Sequence, residues 1–516
     1  MKIRSFLCVA LPVVLAPTVL SAADMGVSLQ RILHHESGIF DESAAEIVAF
    51  DPATNSLYVV NGATPSIDMM KLGGEKVSAA TLTEAGTLAL TEDETPNSVD
   101  VHEGVIAAAV AGSKKDGRPG KVVLFNSDGD RLNEVAVGYL PDMLTFTPDG
   151  NYILTANEGE PTDDMDPPGS VSIIDMSDGA KAATVMNVTF ESFSADDAKK
   201  KGIRLFPDKT PEFDFEPEYI AVAPDGKTAF VALQEANALA VIDIESASLR
   251  DVVGLGTKDY SKPGNGFDPN DKDGKVNITN VPVLGMYMPD AIAAFEVDGE
   301  TYIITANEGD AREEDERVKK AKIDGDALTD DEKKLLERLK ISTIDGDTDD
   351  DGDIDVLHSY GARSVSIWGS SGTLISDTGD DFEQITARYL GINFNSTNDE
   401  NKGENRSDDK GPEPEGVDIG VIGGKTYAFI GLERVGGIMV YDVSNPAKPA
   451  FVTYENNRDF SSLLDFSLPG DLSKAGDLGP EGVKFISAED SPYDVPLLVV
   501  ASEVSGTVTV YSVNEN

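Results

Sequence analysis

Cysteine is all but missing. The one copy in 516 residues, Cys8, lies inside an N-terminal apolar run, so the rest of the chain can form no disulfide and no thiol chemistry. Histidine is nearly as scarce: His34, His35, His102 and His358 are scattered. Without an H-x-H, HExxH or Cys/His cluster, a zinc centre is excluded. A single tryptophan, Trp368, excludes a repeat built on tryptophan docking. No G-x-S-x-G elbow and no P-loop occur. Positive charge is short as well, with 42 Lys and Arg against 92 Asp and Glu and a net charge of −50. That balance excludes nucleic acid and an anionic membrane surface as partners.

The start of the chain has a simple reading. Lys2 and Arg4 precede the apolar run from Phe6 to Leu20, and Ser21, Ala22 and Ala23 offer a cleavage site. This is the pattern of a signal peptide over residues 1–23, which makes 24–516 a secreted or periplasmic product. The run is too short for a membrane span, and none follows it.

Length alone suggests two or three domains, but an internal repeat overrides that. A Pro–acid pair opens an alternating apolar strand at Pro141-Asp142, Pro217-Glu218, Pro289-Asp290, Pro414-Glu415 and Pro480-Glu481, with weaker copies at Ala45-Glu46 and Pro96-Asn97. A second strand follows each (YILTANEGE, TYIITANEGD, TYAFIGLER) and then a third (GSVSIID, ARSVSIW, GGIMVYDV), all β-branched and bounded by turn residues. Seven such units with a variable fourth strand predict an all-β, seven-bladed propeller, with a two-sheet sandwich as the competing architecture. The last unit stops after its third strand, at Tyr511, so the segment from Val27 to Leu33 is expected to supply its outer strand and close the ring. Insertions at about 190–215, 256–285, 309–360 and 386–412 are expected to rise on one face.

Propeller geometry sends the starts of the innermost strands and the ends of the second strands to that same face. Glu46, Asp142, Glu218, Asp290, Glu415 and Glu481 therefore converge on the channel mouth, joined by Asn157, Glu158, Asn307, Glu308, Glu433 and Glu503. Carboxylates so gathered raise one another's proton affinity, and divalent cations relieve the repulsion. Oxygen donors favour Ca²⁺, with another divalent metal such as Mg²⁺ as the alternative. The amide beside the acid in the two Asn-Glu-Gly copies reads as a ligand rather than a structural cap. Arg312, Arg363 and Arg434 are placed to grip phosphate or carboxylate, or else to bridge ring acids.

A second acidic feature is DGDTDDDGDIDVLH. Asp347, Asp349, Asp351, Asp353 and Asp355 follow the first nine positions of an EF-hand-type loop, and His358 stands where the closing glutamate would be. The preceding DALTDDEKKLLERLK predicts a helix capped by Thr329 and leading into the loop. The segment FDPNDKDGKVNI is a weaker calcium candidate.

The blocks ESGIFDESAAEIVAFDP, GYLPDMLTFTPDGNYILTANEGEP, ITANEGDARE, GDTDDDGDIDVLHSYGARSVSIW and GPEPEGVDIG span nearly all of the mature sequence. Together they resemble the choice-of-anchor I family of bacterial secreted proteins. That family is similar to animal mesenchyme-specific cell-surface glycoproteins, and its members are labelled alkaline phosphatase-like. They commonly carry a C-terminal anchor, whereas this sequence ends at Asn516, just past its last strand. The resemblance, set beside the acid ring, implies a calcium-dependent phosphoesterase. Glu308, Glu415, Arg312 and Arg363 would be its catalytic residues and a small anionic or phosphorylated molecule its ligand. The alternative is a monomeric, non-enzymatic binding protein of the surface or matrix, stabilised by calcium.

Overall fold

The computed structural model describes residues 26–91, 94–112, 117–162, 165–312, 314–460, 464 and 474–516. The expected leader, 1–23, lies outside them. Seven four-stranded antiparallel sheets succeed one another along the chain, each beginning with an innermost strand: Val48–Asp51, Thr95–His102, Pro141–Phe146, Pro217–Val222, Ile292–Val297, Pro414–Ile422 and Pro480–Ile486. These are the blades of a propeller, numbered 1 to 7 below.

Blade 7 lacks a fourth strand of its own and takes Val27–Glu36, which pairs with Thr507–Glu515 from Val27↔Glu515 to Glu36↔Thr507. Both strands run further than the apolar alternation indicated. The added residues, such as His35, Glu36, Asn514 and Glu515, are polar and join through their backbones, which hydrophobic pattern does not report.

The second strands explain how the ring holds together. Along Ser56–Asn61, Leu57 and Val59 pack toward blade 7, and Tyr58 and Val60 pack toward blade 2. Successive side chains of a strand point to opposite faces. A strand buried on both faces therefore reads as one apolar run. The same arrangement gives one apolar cluster at every junction between neighbouring blades, that between blades 7 and 1 included. The outermost strands bury little: in Thr81–Ala89 only Leu88 is fully covered.

A β-bulge falls at the Pro–acid pair. Register shifts between Pro96 and Ser98, Pro141 and Met143, Pro217 and Ile220, Pro414 and Val417, and Pro480 and Gly482. The residue after each proline is thus left out of the ladder and turned toward the axis. Proline suits the first strand position because it has no N–H to leave unpaired.

The insertions at 256–285 and 309–360 assemble a wall with its own core, including Tyr260, Phe267, Val283, Leu336, Ile341 and Leu357. Its sheet joins Thr257–Asp259, Val283–Met286 and Leu357–Ser359. Thr329 caps the helix Asp330–Leu336 through a reciprocal bond pair with Glu332, as the sequence predicts. The helix does not lead into the acidic loop, however. The strand Lys340–Ser342 intervenes and pairs with Asp315–Arg317, so the helix–loop continuity expected of an EF-hand is lost.

Candidate metal centre at the channel mouth

Glu46, Asn97, Asp142, Asp290, Glu415 and Glu481 line one small void of about 40 Å³ on the propeller axis. A water molecule needs about 10–15 Å³ of such space, so the void takes an ion or a few waters. Tyr219, next to Glu218, floors it. Beyond Tyr219 the channel widens into a chamber of about 540 Å³, where Asp100, Asp418 and Lys484 are half-buried. The inner ring is half-buried rather than sealed.

Charge compensation divides the mouth. Among the described residues, no Lys or Arg lies within salt-bridge distance of Glu46, Glu158, Glu218, Asp290, Glu415 or Glu481, and the buried Oε2 atoms of Glu218 and Glu415 have no hydrogen-bond partner. Burial and neighbouring acids push Glu46 up to about 8, and raise Glu158, Glu218, Asp290, Glu415 and Glu481 well above the carboxylate range. Ligand oxygens of Asp290, Glu308 and Glu415 lie within 4.8 Å of one another. At an effective dielectric of 20, each ionised pair at that distance repels by about 3.5 kcal/mol. Glu308 is already bridged to Lys410 at 2.5 Å, which leaves Asp290 and Glu415 as the pair that must bind protons or a cation.

The outer acids are matched instead by basic side chains. On one side Arg312 reaches Asp214, Glu216 and Glu235. On the other, Glu413 accepts a two-pronged contact from Arg406 at 2.6 and 3.0 Å, with Arg434 at 3.2 Å and Lys410 at 3.4 Å. Burial alone would raise Glu413, but Arg406, Lys410 and Arg434 outweigh it and hold it down at about 2.

Of the four proposed catalytic groups, Glu308 and Glu415 do meet. Arg312 is taken up by Asp214, Glu216 and Glu235, the last next to Gln234, which donates to Glu308 at 3.0 Å. Arg363 does not reach the mouth at all: it is 3% exposed, pairs with Glu383 at 2.7 Å, bonds the carbonyls of Ser407 and Asp409, and lies over Phe267. It pins the wall to blade 5. The two Asn-Glu-Gly amides also need correcting. Asn157 accepts from Thr155 and donates to Ser170 and Ser172, and Asn307 repeats this with Thr305, Ser364 and Ser366. Both are 0% exposed. The amides tie adjacent strands of their blades, and only the glutamates face the mouth.

The EF-hand-type series splits in two. Asp347, Asp349 and Asp351 form one exposed cluster, and Asp353 and Asp355 form another with Asp324. Asp355 is held by the backbone and hydroxyl of Thr348, at 2.7 and 2.6 Å. In the weaker segment, Asp268 accepts the backbone N–H groups of Asn270 and Asn277, and Asp271 pairs with Arg338. Those acids are structural.

Sequence reasoning missed Glu216, Glu413, Lys410 and Asp324. The first two carried a signal: Glu-Pro-Glu occurs at 216–218 and again at 413–415, and the Pro–acid repeat points only to the second glutamate of each triplet.

Comparison with known proteins finds distant likenesses and one family. A stretch of 188 residues is 32% identical to Gigasin-3a of Magallana gigas, covering 35% of this chain and 65% of that protein's length. Among solved structures, the Kuenenia stuttgartiensis hydrazine synthase aligns over 91% of this chain and 96% of its own at TM-score 0.46 and 14% identity. A streptogramin B lyase aligns over 95% and 98% at 0.45 and 10%. Blade count and strand order, not these distant likenesses, establish the propeller. The choice-of-anchor I domain matches residues 46–446, and the chain belongs to that family.

Proposed function

We propose that this propeller is an exported divalent-cation-binding protein, with calcium the ion its donor set suits. One observation carries the reading: Glu46, Asp290, Glu415 and Glu481 converge on the axis with no Lys or Arg among the described residues within salt-bridge distance, while the acids just outside them are matched to arginines. An all-oxygen set of carboxylates is the chemistry of Ca²⁺ and Mg²⁺, and the larger, less rigid Ca²⁺ shell tolerates a ring assembled from several blades. The wall clusters at 347–351 and at 324, 353 and 355 supply further oxygen donors. Export rests on the leader pattern, and no helix among the described residues is long and apolar enough to cross a membrane.

The single substitutions Glu415→Gln and Glu218→Gln are expected to weaken calcium binding at the ring at least about tenfold by calorimetry, while Asp351→Asn removes only wall binding. Unchanged ring affinity in both glutamine variants would sink the proposal.

A calcium-dependent phosphoesterase is the second reading, favoured by Arg312, whose Nε has no partner beside the ring. Ring-bound cations would neutralise the phosphate and activate water, with the ester seated above the ring, since a 40 Å³ void admits none. The expected result is calcium-dependent release of a chromogenic alcohol from its phosphate ester, abolished by chelator and by Glu415→Gln. Absence of turnover leaves the binding protein as the function.

A further inference from the structure

Glu308 belongs to two acid trios. With Asp290 and Glu415 it faces the inner ring, and with Glu413 and Glu433 it forms a second, buried set whose ligand oxygens also lie within 4.8 Å. Arg406 and Arg434 approach the second set from its outer side, on Glu413 and Glu433, and a third cation reaches Glu308 and Glu413. Lys410, 7% exposed, places its Nζ 2.5 Å from Glu308 Oε1, 3.4 Å from Glu413 Oε2 and 3.5 Å from Asp310 Oδ1. It comes from the insertion at 386–412, not from a blade.

Two further observations show how this position is built. Glu433 is 3% exposed, yet its Oε2 has no hydrogen-bond partner. Its Oε1 takes Asn398 of the same insertion at 3.1 Å and Arg434 at 2.9 Å. The insertion is also fixed behind the lysine. Gly411 sits in the left-handed region, where a side chain would meet Arg363 Nη1 at 2.7 Å and Glu383 Oε1 at 2.8 Å. The segment cannot slide, so the ammonium is delivered to one place.

We propose that Lys410 is a tethered substitute for a metal ion: it fills a divalent-cation position made by Glu308, Glu413 and Glu433 and keeps exchangeable ions out of it. The idea rests on reading the ring as a divalent site, and it deepens that reading by assigning two classes of position. Positions facing Asp290 and Glu415 take ions from solution. The position facing Glu413 and Glu433 is filled by the chain itself, which ties the wall to the ring in every metal state. An ammonium brings one charge and three donors, so it can serve several carboxylates without being lost to chelators or dilution.

The test replaces the ammonium with an apolar chain of similar length. In the full chain, Lys410→Met is expected to bind one more calcium per molecule than wild type after equilibrium dialysis. Without calcium it should melt below wild type, and calcium should recover most of that difference. Lys410→Arg keeps the wild-type stoichiometry, and Lys410→Met with Glu433→Gln loses the extra ion. If Lys410→Met does not fold in chelator, refolding it with calcium is equally decisive: recovery supports the proposal, and failure overturns it. An unchanged ion count, or an equal melting deficit with and without calcium, also overturns it. The two readings separate cleanly. A wild-type ring that binds nothing rejects the divalent site while leaving a gained ion in Lys410→Met intact, whereas a ring that binds calcium with no gain in the variant rejects only the role of Lys410.

Discussion

A chain started at Ser37, without the strand Val27–Glu36, is expected to aggregate or to melt at least about 10 °C below one started at Gly26. The lost strand makes nine register pairs with Thr507–Glu515. A backbone hydrogen bond is worth roughly 0.5–1.5 kcal/mol net, and a whole domain only about 5–15. Apolar contact is lost on both sides as well. Val27 and Leu29 sit in the cluster between blades 6 and 7, and Ile32 and Leu33 pack on the one between blades 7 and 1. Truncation therefore loosens two junctions and bares the long edge of Thr507–Glu515, which offers itself to other chains. Melting curves and size-exclusion profiles of the two chains decide the matter, and coincident melting with a monodisperse truncated chain would refute it.

The second large effect is an inverted pH dependence in the absence of metal. Glu46 and Glu216 are raised from 4.5 to about 8, chiefly by burial and then by neighbouring acids, with Arg312 only partly offsetting this at Glu216. Glu158, Glu218, Asp290, Glu415 and Glu481 move in the same direction. A carboxyl that holds its proton more tightly folded than unfolded stabilises the fold fully below about 4.5, and that contribution is lost as pH rises through about 8. Groups shifted downward, such as Glu413 and Glu94 at about 2, lose their contribution only on acidification below that window. Chelated protein should therefore melt roughly 5–10 °C lower at pH 8.5 than at pH 5, since each kcal/mol moves Tm by a few degrees at most in a large domain. Calcium should flatten the profile by replacing protons as the neutralising charge. A chelated protein as stable at pH 8.5 as at pH 5 would mean that the ring acids are not under mutual strain.

Blades and inner ring were legible in the sequence for one physical reason: each repeat writes them in the same residues. Proline marks the strand start, the bulge turns the next residue inward, and the apolar second strand marks burial on both faces. What was not legible depended on partners far apart in the chain. Nothing near Lys410 indicates that it ends beside Glu308, about a hundred residues earlier. Asp324 joins Asp353 and Asp355 only because the wall folds back on itself. Arg363 looked like a mouth residue because it begins a third strand, but that strand start is buried under the wall. Asn157 and Asn307 misled because an amide beside an acid resembles a ligand pair, while the serines on the adjacent strands had already claimed it.

The pairing of Val27 with Glu515 also sets an orientation. The third strand of a blade begins at the mouth and ends at the opposite face, so Glu515 lies far from the acid ring, close to the hairpin turn at Gly423 of blade 6. Val27 lies beside it. Anything joined to either end of the described fold leaves from the same corner of the underside. A molecule held at a surface by either terminus would thus present its acid ring outward, into the medium, like a cup standing on its base.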